Sequence, residues 1–145
     1  MTDDINRIKL FLVDDDALLL RLLEIEFLQY ADFEVETYAT GELCIKNIAH
    51  KPDVVVLDYY LDGIDKMAMN GIETLDKIKA FDDNIPVVML SSQDKIEVAI
   101  DCMHHQAFDY VVKSETAFVR LRQVIDRILK YQKLEKQLNW YMEKM

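Results

Sequence analysis

The distribution of apolar residues along the chain predicts five strands and five helices in regular alternation. Apolar runs of β-favouring residues predict strands, at Ile8–Val13, Phe33–Tyr38, Pro52–Tyr60, Ile85–Leu90 and Phe108–Val112. Apolar residues spaced by three and four predict helices, at Ala17–Tyr30, Thr40–His50, Gly71–Phe81, Asp94–His104 and from Ser114 or Thr116 to Met145. Such alternation is typical of a parallel sheet with right-handed helical crossovers.

The run in Pro52–Tyr60 indicates how the sheet is covered. It is apolar at every position from Val54 to Leu57, which predicts a strand with helices over both faces. Phe33–Tyr38 instead alternates apolar with acidic residues, which is typical of an edge strand. We therefore expect an α/β fold: a doubly wound five-stranded parallel sheet of flavodoxin-like order 2-1-3-4-5, with helices on both faces and an extended C-terminal helix.

Composition favours one compact domain with protein and cation partners. The chain has 145 residues, 51% of them hydrophobic, and a net charge of −10, which opposes non-specific binding to nucleic acid. No run has the apolar core of a signal peptide or the length of a membrane span. Cys44 and Cys102 lack metal-ligand spacing, which indicates buried free thiols. We expect a cytoplasmic protein.

Polar residues end four of the predicted strands. Asp14 and Asp15 follow the first strand, Asp58 the third, Ser91 the fourth and Lys113 the fifth. The carboxyl ends of parallel strands share one edge, where ligands bind. Carboxylates gathered there repel one another unless a cation compensates, and Mg²⁺ suits such oxygen ligands. With a lysine to hold a phosphoryl oxygen, the edge is suited to taking up a phosphoryl group.

The segments around these residues resemble the receiver domain of two-component response regulators, the CheY-like family. The resemblance rests on four segments in the order of the family, namely Val13-Asp14-Asp15, Val56-Leu57-Asp58, Leu90-Ser91-Ser92 and Tyr110-Val111-Val112-Lys113. It covers about residues 6–131 and leaves 132–145 as an extension of the last helix.

The resemblance implies a reaction and a metal site. Asp58 would accept a phosphoryl group from a sensor histidine kinase or a phosphotransfer protein. Asp15 and Asp58 would bind Mg²⁺ directly and Asp14 through water, with the backbone carbonyl of Tyr60 as a further ligand. The chain would then be a signalling switch rather than a turnover enzyme.

The resemblance also implies how the signal is relayed. Lys113 would pair with Asp58 and then with the phosphoryl oxygens, and Ser91 would donate a hydrogen bond to the phosphorylated aspartate. Tyr110 would be the switch aromatic that changes rotamer in response. The fourth helix, fifth strand and fifth helix would form the output surface for an effector protein or for an output domain absent from this chain.

Two features depart from the family pattern. Ser114, not proline, follows Lys113, and a non-proline cis bond costs about 2.5–4 kcal/mol, so we expect a trans bond. Asn70-Gly71 matches the turn before the third helix, which makes Asp62–Met69 an insertion beside Asp58. Our hypothesis is that this insertion, with Tyr59 and Tyr60, modulates access of water or a partner to the aspartyl phosphate.

Two alternatives to the phosphoacceptor remain open. In a pseudo-receiver, Asp58 and Lys113 would form a structural ion pair in a module that only binds partners. A metal-dependent phosphotransferase or phosphatase could use the same acids, but such aspartyl enzymes carry a second acid two residues after the nucleophile, where this chain has Tyr60.

The last helix carries apolar residues beyond the length that a receiver domain needs. They follow one another in steps of three and four with one stutter, at Val124, Ile128, Tyr131, Leu134, Leu138, Tyr141 and Met145. This pattern favours a helix that forms a homodimer or leads to an output domain, and the alternative is a solvent-exposed tail.

Overall fold

The computed structural model describes residues 7–63 and 66–145. The elements follow in the order β1 (Ile8–Val13), α1 (Ala17–Leu28), β2 (Phe33–Tyr38), α2 (Gly41–Lys46), a 3-10 helix (Ile48–His50), β3 (Val54–Asp58), α3 (Gly71–Phe81), β4 (Val87–Ser91), α4 (Ile96–His104), β5 (Asp109–Val112) and α5 (Ala117–Lys144).

The five strands form one parallel sheet in the order β2-β1-β3-β4-β5. This confirms the predicted fold class and strand order. β3 lies at the centre and is buried along its whole length, because helices cover both of its faces. β2, of which only Phe33 is fully buried, lies at one edge of the sheet, as predicted.

The helices pack on the two faces of the sheet, and each face has its own apolar core. α1 and α5 pack on one face, where Phe27, Leu121 and Ile125 are fully buried. α2, α3 and α4 pack on the other, where Cys44, Leu75 and Cys102 are buried. Both cysteines are free thiols in this second core, as predicted.

The buried face of α1 differs from the predicted one. The periodicity of the sequence predicts an apolar stripe of Leu19, Leu22, Leu23, Ile25, Phe27 and Leu28. The exposed fractions of Leu22, Ile25 and Leu28 are nevertheless 51%, 45% and 52%. Only Leu23 and Phe27 are buried. Since α1 is apolar on nearly all sides, its periodicity does not define a unique face, and contact with α5 and the sheet selects the buried residues.

The predicted side-chain caps are present at α1 and α2 but not at α5, and α4 begins at Ile96, two residues after its predicted start. Asp16 accepts hydrogen bonds from the N–H groups of Leu18 and Leu19, and Thr40 caps α2 in the same way. The hydroxyl of Thr116, the residue before α5, makes no capping hydrogen bond. Ser114 Oγ instead accepts a hydrogen bond from the Thr116 N–H at 3.3 Å, so the predicted side-chain cap is wrong.

Other helix boundaries differ by a few residues. α1 ends at Leu28, two residues before its predicted end, and α2 ends at Lys46, where a 3-10 helix replaces its last turn. α5 continues for 28 residues, which confirms the predicted extended last helix. None of the helices in the described ranges is both long and apolar enough to span a membrane.

Candidate functional site

Three carboxylates meet at the carboxyl edge of the sheet. β1 and β3 are neighbours, with Val13 in register with Leu57. Asp14, which follows β1, and Asp58, the last residue of β3, therefore emerge side by side. One oxygen from each of Asp14, Asp15 and Asp58 lies within 4.8 Å of the others. In the part of the chain that the structure describes, no other group of three acidic, histidine or cysteine side chains comes so close.

Burial makes this cluster electrostatically costly. Asp14 and Asp58 are each only 2% exposed, and Asp15 is half-buried. Burial, and then the charge of Asp14, raise the pKa of Asp58 to about 7, although the charge of Lys113 and the N–H of Tyr60 oppose this rise. One lysine therefore does not fully compensate the cluster, which favours a further cation.

Lys113 reaches the cluster from the end of β5. Its Nζ lies 3.0 Å from Asp14 Oδ2 and 3.3 Å from Asp58 Oδ1. Burial alone would lower the pKa of Lys113, but the charges of Asp58 and Asp14 raise it above its ordinary value. Lys113 is therefore held as a cation between two carboxylates.

The backbone around Lys113 fixes the position of the residue. Its N–H donates to the Ser91 carbonyl at 2.7 Å, which continues the pairing of β4 with β5. No peptide bond within the described ranges is cis, so the Lys113–Ser114 bond is trans, as expected. The lysine is thus placed without the proline that usually follows it in receiver domains.

Backbone N–H groups and Lys113 are the donors around the two buried carboxylates. Asp14 Oδ1 accepts from the Asp16 N–H at 2.9 Å, and Asp58 Oδ1 accepts from the Tyr60 N–H at 3.3 Å. Asp14 Oδ2 is buried, and Lys113 Nζ lies 3.0 Å from it. A carboxylate oxygen has two lone pairs, so this one can also bind a divalent cation or a water bound to one.

The loop after Asp58 brings a carbonyl to the same place. A Cβ on Gly63 would lie 3.3 Å from Asp15 Oδ2 and 3.8 Å from the Tyr60 carbonyl oxygen. Both oxygens therefore border the same small space beside Gly63. The Tyr60 carbonyl and the three carboxylates together form the hard oxygen ligand set that Mg²⁺ prefers.

The predicted insertion is attached to the domain on both sides of its tip. Leu61 is 2% exposed, and the Met69 N–H donates to Glu42 Oε2 at 2.8 Å. Ile64 and Asp65, which the insertion includes, lie outside the described residues. The described parts of the insertion thus run beside the carboxylates between two fixed points.

Asn70 and Gly71 explain how α3 begins directly after this loop. Asn70 and Glu73 form a reciprocal capping box. A Cβ on Gly71 would lie 2.4 Å from the Asp58 carbonyl oxygen and 2.6 Å from that of Tyr59. Only glycine permits this approach, so Gly71 lets α3 start against the end of β3.

Ser91 and Tyr110 are connected through the backbone of Gln93. Ser91 is fully buried at the end of β4, and its Oγ accepts from the Gln93 N–H at 3.1 Å. The Tyr110 hydroxyl donates to the Gln93 carbonyl, and burial raises the pKa of this tyrosine. The sequence predicts roles for Ser91 and Tyr110 but not for Gln93. Gln93 contributes only its backbone N–H and carbonyl, which every residue other than proline carries.

A second link, from Tyr59 to Asp101, was also missed. The Tyr59 hydroxyl donates to Asp101 Oδ2 in α4 at 3.0 Å, and burial followed by this hydrogen bond raises the pKa of Tyr59 to about 12. The residue next to Asp58 is thereby joined to the helix on the far side of β4. No spacing in the sequence indicates this contact, since 42 residues separate the two side chains.

The chain was compared with known proteins. Residues 10–126 match the family model of the response regulator receiver domain. A protein-glutamate methylesterase/protein-glutamine glutaminase from Clostridium acetobutylicum is 34% identical over 86% of this chain and 35% of its own length. The transcriptional regulatory protein PrrA from Mycobacterium leprae is 30% identical over 72% of this chain and 43% of its own length. The chain thus spans less than half the length of both relatives.

Two solved structures have a fold similar to that of this chain. A chain of the CheX-CheY-BeF3-Mg²⁺ complex from Borrelia burgdorferi has a TM-score of 0.73 and 27% identity, covering 84% of this chain and 89% of that chain. NtrX from Brucella abortus has a TM-score of 0.79 and 28% identity, covering 94% of this chain and 30% of that chain.

Proposed function

The chain belongs to the response regulator receiver domain family, and from this premise we propose that it takes up a phosphoryl group on Asp58 and relays the change through protein contacts. The phosphoryl donor would be a sensor histidine kinase or a phosphotransfer protein. The observation that carries the proposal is the meeting of three carboxylates with Lys113 at one edge of the sheet.

The cluster of three carboxylates fits a magnesium ion. Asp14, Asp15 and Asp58, with the Tyr60 carbonyl, would hold it, and the excess of three carboxylates over one lysine supports this assignment. When bound, the ion would neutralise negative charge on the phosphoryl oxygens. It would also favour the ionised form of Asp58, whose pKa is otherwise raised to about 7.

The chain's own residues position the transfer. A carboxylate oxygen of Asp58 would form the new O–P bond while the P–N bond to the donor histidine breaks and its electron pair returns to the imidazole. Lys113, already 3.3 Å from Asp58 Oδ1, would pair with the phosphoryl oxygens. Because the groups are in place before the donor binds, catalysis comes mainly from positioning and electrostatics.

Ser91 and Tyr110 would change position in response to the added charge. The phosphoryl group adds about −1.5 to −2 charge units at neutral pH, and the Ser91 hydroxyl would donate to it. Since Ser91 Oγ also accepts from the Gln93 N–H, this movement would shift the loop that holds the Tyr110 hydroxyl. The shift would reach the surface of α4, β5 and α5, where an effector protein or an output domain would bind.

We place the protein in the cytoplasm, as a switch and not a turnover enzyme. The C. acetobutylicum relative is named as a methylesterase, but this chain matches only 35% of it. The described residues offer nothing that favours the pseudo-receiver alternative, because each acid and the lysine of the phosphoacceptor site are present.

Intact-protein mass spectrometry after treatment with acetyl phosphate tests the proposal. We expect one phosphoryl group per chain in the presence of Mg²⁺ and none with a chelator. Asp58→Asn should abolish the label, and Asp62→Asn, which removes an acid from the next loop, should retain it. Labelling of the Asp58→Asn variant would contradict the proposal, as would the absence of label from the unaltered protein.

We propose further that the insertion and Tyr60 control the lifetime of the aspartyl phosphate. The Tyr60 side chain is 42% exposed, its ring packs edge-on against Tyr59, and its N–H binds Asp58. Tyr60→Ala should shorten the lifetime roughly severalfold, because removing the ring opens a path for water. Loss of label over time measures this, and an unchanged rate would dismiss the idea.

A further inference from the structure

The last two heptads of α5 are largely exposed to solvent. From Tyr131 to Lys144, every residue except Gln132 is exposed. An isolated helical segment of about 12–15 residues is only marginally stable in water. The exposed part of α5 therefore gains little from its own domain, and a second helix packed along it would stabilise it.

Apolar residues of this segment form a regular seam. From Tyr131 they follow in steps of three, four, three and four, with exposed fractions of 57%, 49%, 59%, 63% and 101%, at Tyr131, Leu134, Leu138, Tyr141 and Met145. These are the a and d positions of two heptads, which face the partner in a coiled coil. We call these five residues the α5 seam.

The α5 seam is not the face of α5 that packs on the sheet. Val124 and Ile128, which the sequence placed in the seam, are instead buried on that inner face with Leu121 and Ile125. At about 100° per residue, the seam is turned from the inner face by roughly 120°. Tyr131, Leu134 and Leu138 line one side of an open groove, and Asn84 and Phe108 of the domain line the other. A partner helix on the seam would therefore lie beside this groove and not on the inner face.

The contact is limited to the extension of α5. Nearer its start, the helix face in line with the seam carries Arg120, Gln123 and Arg127, which are all exposed. Arg127 is already paired with Asp109 in β5. Since these polar residues do not favour a buried contact, the apolar seam ends near Lys130.

We propose that the α5 seam binds the seam of a second copy of this chain, in a parallel, in-register, two-stranded coiled coil. The seam is self-complementary, because in register each apolar layer meets its own counterpart: Tyr131 packs on Tyr131, Leu134 on Leu134 and Leu138 on Leu138. This assembly does not depend on Asp58 or on phosphorylation.

The charges beside the seam select the parallel orientation. Lys130 and Glu135 occupy the g and e positions, which face each other across a parallel pair, so two symmetric Lys130–Glu135 attractions form. In an antiparallel pair, each Glu135 would instead lie near the other Glu135, and Lys130 near Lys144. The same residues therefore favour one orientation and oppose the other.

Sedimentation of the full chain tests whether a second copy binds the α5 seam. Two heptads give a short coiled coil, so we expect a monomer–dimer equilibrium that shifts with protein concentration. Leu138→Asp should abolish the dimer. Trp140→Asp, which makes the same change at an exposed apolar residue away from the seam, should leave the dimer unchanged.

Charge reversal tests the orientation. At low salt, Lys130→Glu or Glu135→Lys should each weaken dimerisation about tenfold by turning attraction into repulsion, and the double reversal should restore it. In an antiparallel dimer, Lys130→Glu would instead strengthen association through Lys144. Oxidative cross-linking of Leu138→Cys, but not of Lys133→Cys on the opposite side, would independently support the parallel pair.

Three outcomes would overturn the proposal. The first is a monomer at every concentration, the second is a dimer that Trp140→Asp weakens as much as Leu138→Asp, and the third is tighter association of Lys130→Glu. Circular dichroism would verify that each variant remains folded. Because Asp58→Asn should dimerise normally, failure here is distinguishable from failure of phosphorylation.

Discussion

The Asp58 side chain shows how one residue links stability to reactivity. It is almost fully buried and lies beside Asp14 and Lys113. Burial and the Asp14 charge raise its pKa to about 7 from an ordinary value of 3.8. Phosphoryl transfer requires the ionised carboxylate. In the metal-free fold, this is the protonation state that burial and the Asp14 charge disfavour.

This pKa predicts how the stability of metal-free protein depends on pH. The folded state binds the Asp58 proton more tightly than the unfolded state, so this group stabilises the fold fully below about pH 4. That stabilisation is lost as the pH rises towards about 7. Asp58→Asn has no such loss, so its stability relative to the unaltered protein should increase across this window by about 4 kcal/mol.

Urea unfolding in a chelator at several pH values between 5 and 8 measures this difference. Asp62→Asn, an acid in the adjacent loop, is the matched control and should show no such trend. A stability advantage of Asp58→Asn that is constant with pH would contradict a raised pKa at Asp58.

At the scale of elements, short contacts hold the loops at the ends of the strands. Gly71 lets the start of α3 approach the carbonyl groups of Asp58 and Tyr59. The Tyr110 hydroxyl holds the loop after β4 through Gln93, while the Tyr59 hydroxyl holds α4 through Asp101. Each contact joins the site to a different element.

Replacing Gly71 should displace α3. The added Cβ would meet backbone carbonyl oxygens at 2.4 and 2.6 Å, and the backbone cannot rotate away as a flexible side chain can. We expect Gly71→Ala to lower the free energy of unfolding by about 2–4 kcal/mol. Lys77→Ala, an exposed position on the same helix, should change it little, and equal stability of the two variants would refute the close approach.

Removing one tyrosine hydroxyl should loosen one loop. Tyr110→Phe deletes the hydrogen bond to the Gln93 carbonyl, worth about 1 kcal/mol, so amide exchange in residues 92–95 should accelerate roughly fivefold. Tyr59→Phe makes the same chemical change but should loosen α4 around Asp101. Hydrogen exchange measured by mass spectrometry distinguishes the two variants. Identical exchange patterns in both would argue against two separate hydrogen bonds that hold different segments.

At the scale of the whole molecule, the site exists only when all strands are paired. β1, β3 and β5 supply the acids and the lysine, and β4 lies between β3 and β5. A cation bound by side chains that adjoin two different strands therefore stabilises the sheet as a unit. Metal binding and folding should be coupled.

Magnesium should raise the melting temperature of the full chain. A ligand at about 100 times its dissociation constant adds about 2.7 kcal/mol. Asp15→Asn should reduce this gain because it removes one carboxylate of the cluster. Asp16→Asn is the matched control, since asparagine also caps helices. Equal magnesium effects in the two variants, measured by thermal unfolding, would contradict the ligand set.

The sequence by itself determined the alternation of strands and helices, the order of the sheet and the placement of Asp14, Asp15, Asp58, Ser91 and Lys113 at strand ends. The physical reason is local. A continuous apolar run such as β3 is stable only when both of its faces are covered, and the polar residue that ends it must lie at the edge of the core.

Only the tertiary structure decided which apolar residues of α1 are buried and which groups hold Tyr59 and Tyr110. α1 is apolar on most sides, so packing against α5 and the sheet selects Leu23 and Phe27. The contacts of Tyr59 and Tyr110 use a distant carboxylate and a backbone carbonyl. Such pairings depend on how the finished sheet brings separate segments together, and no local pattern in the sequence encodes them.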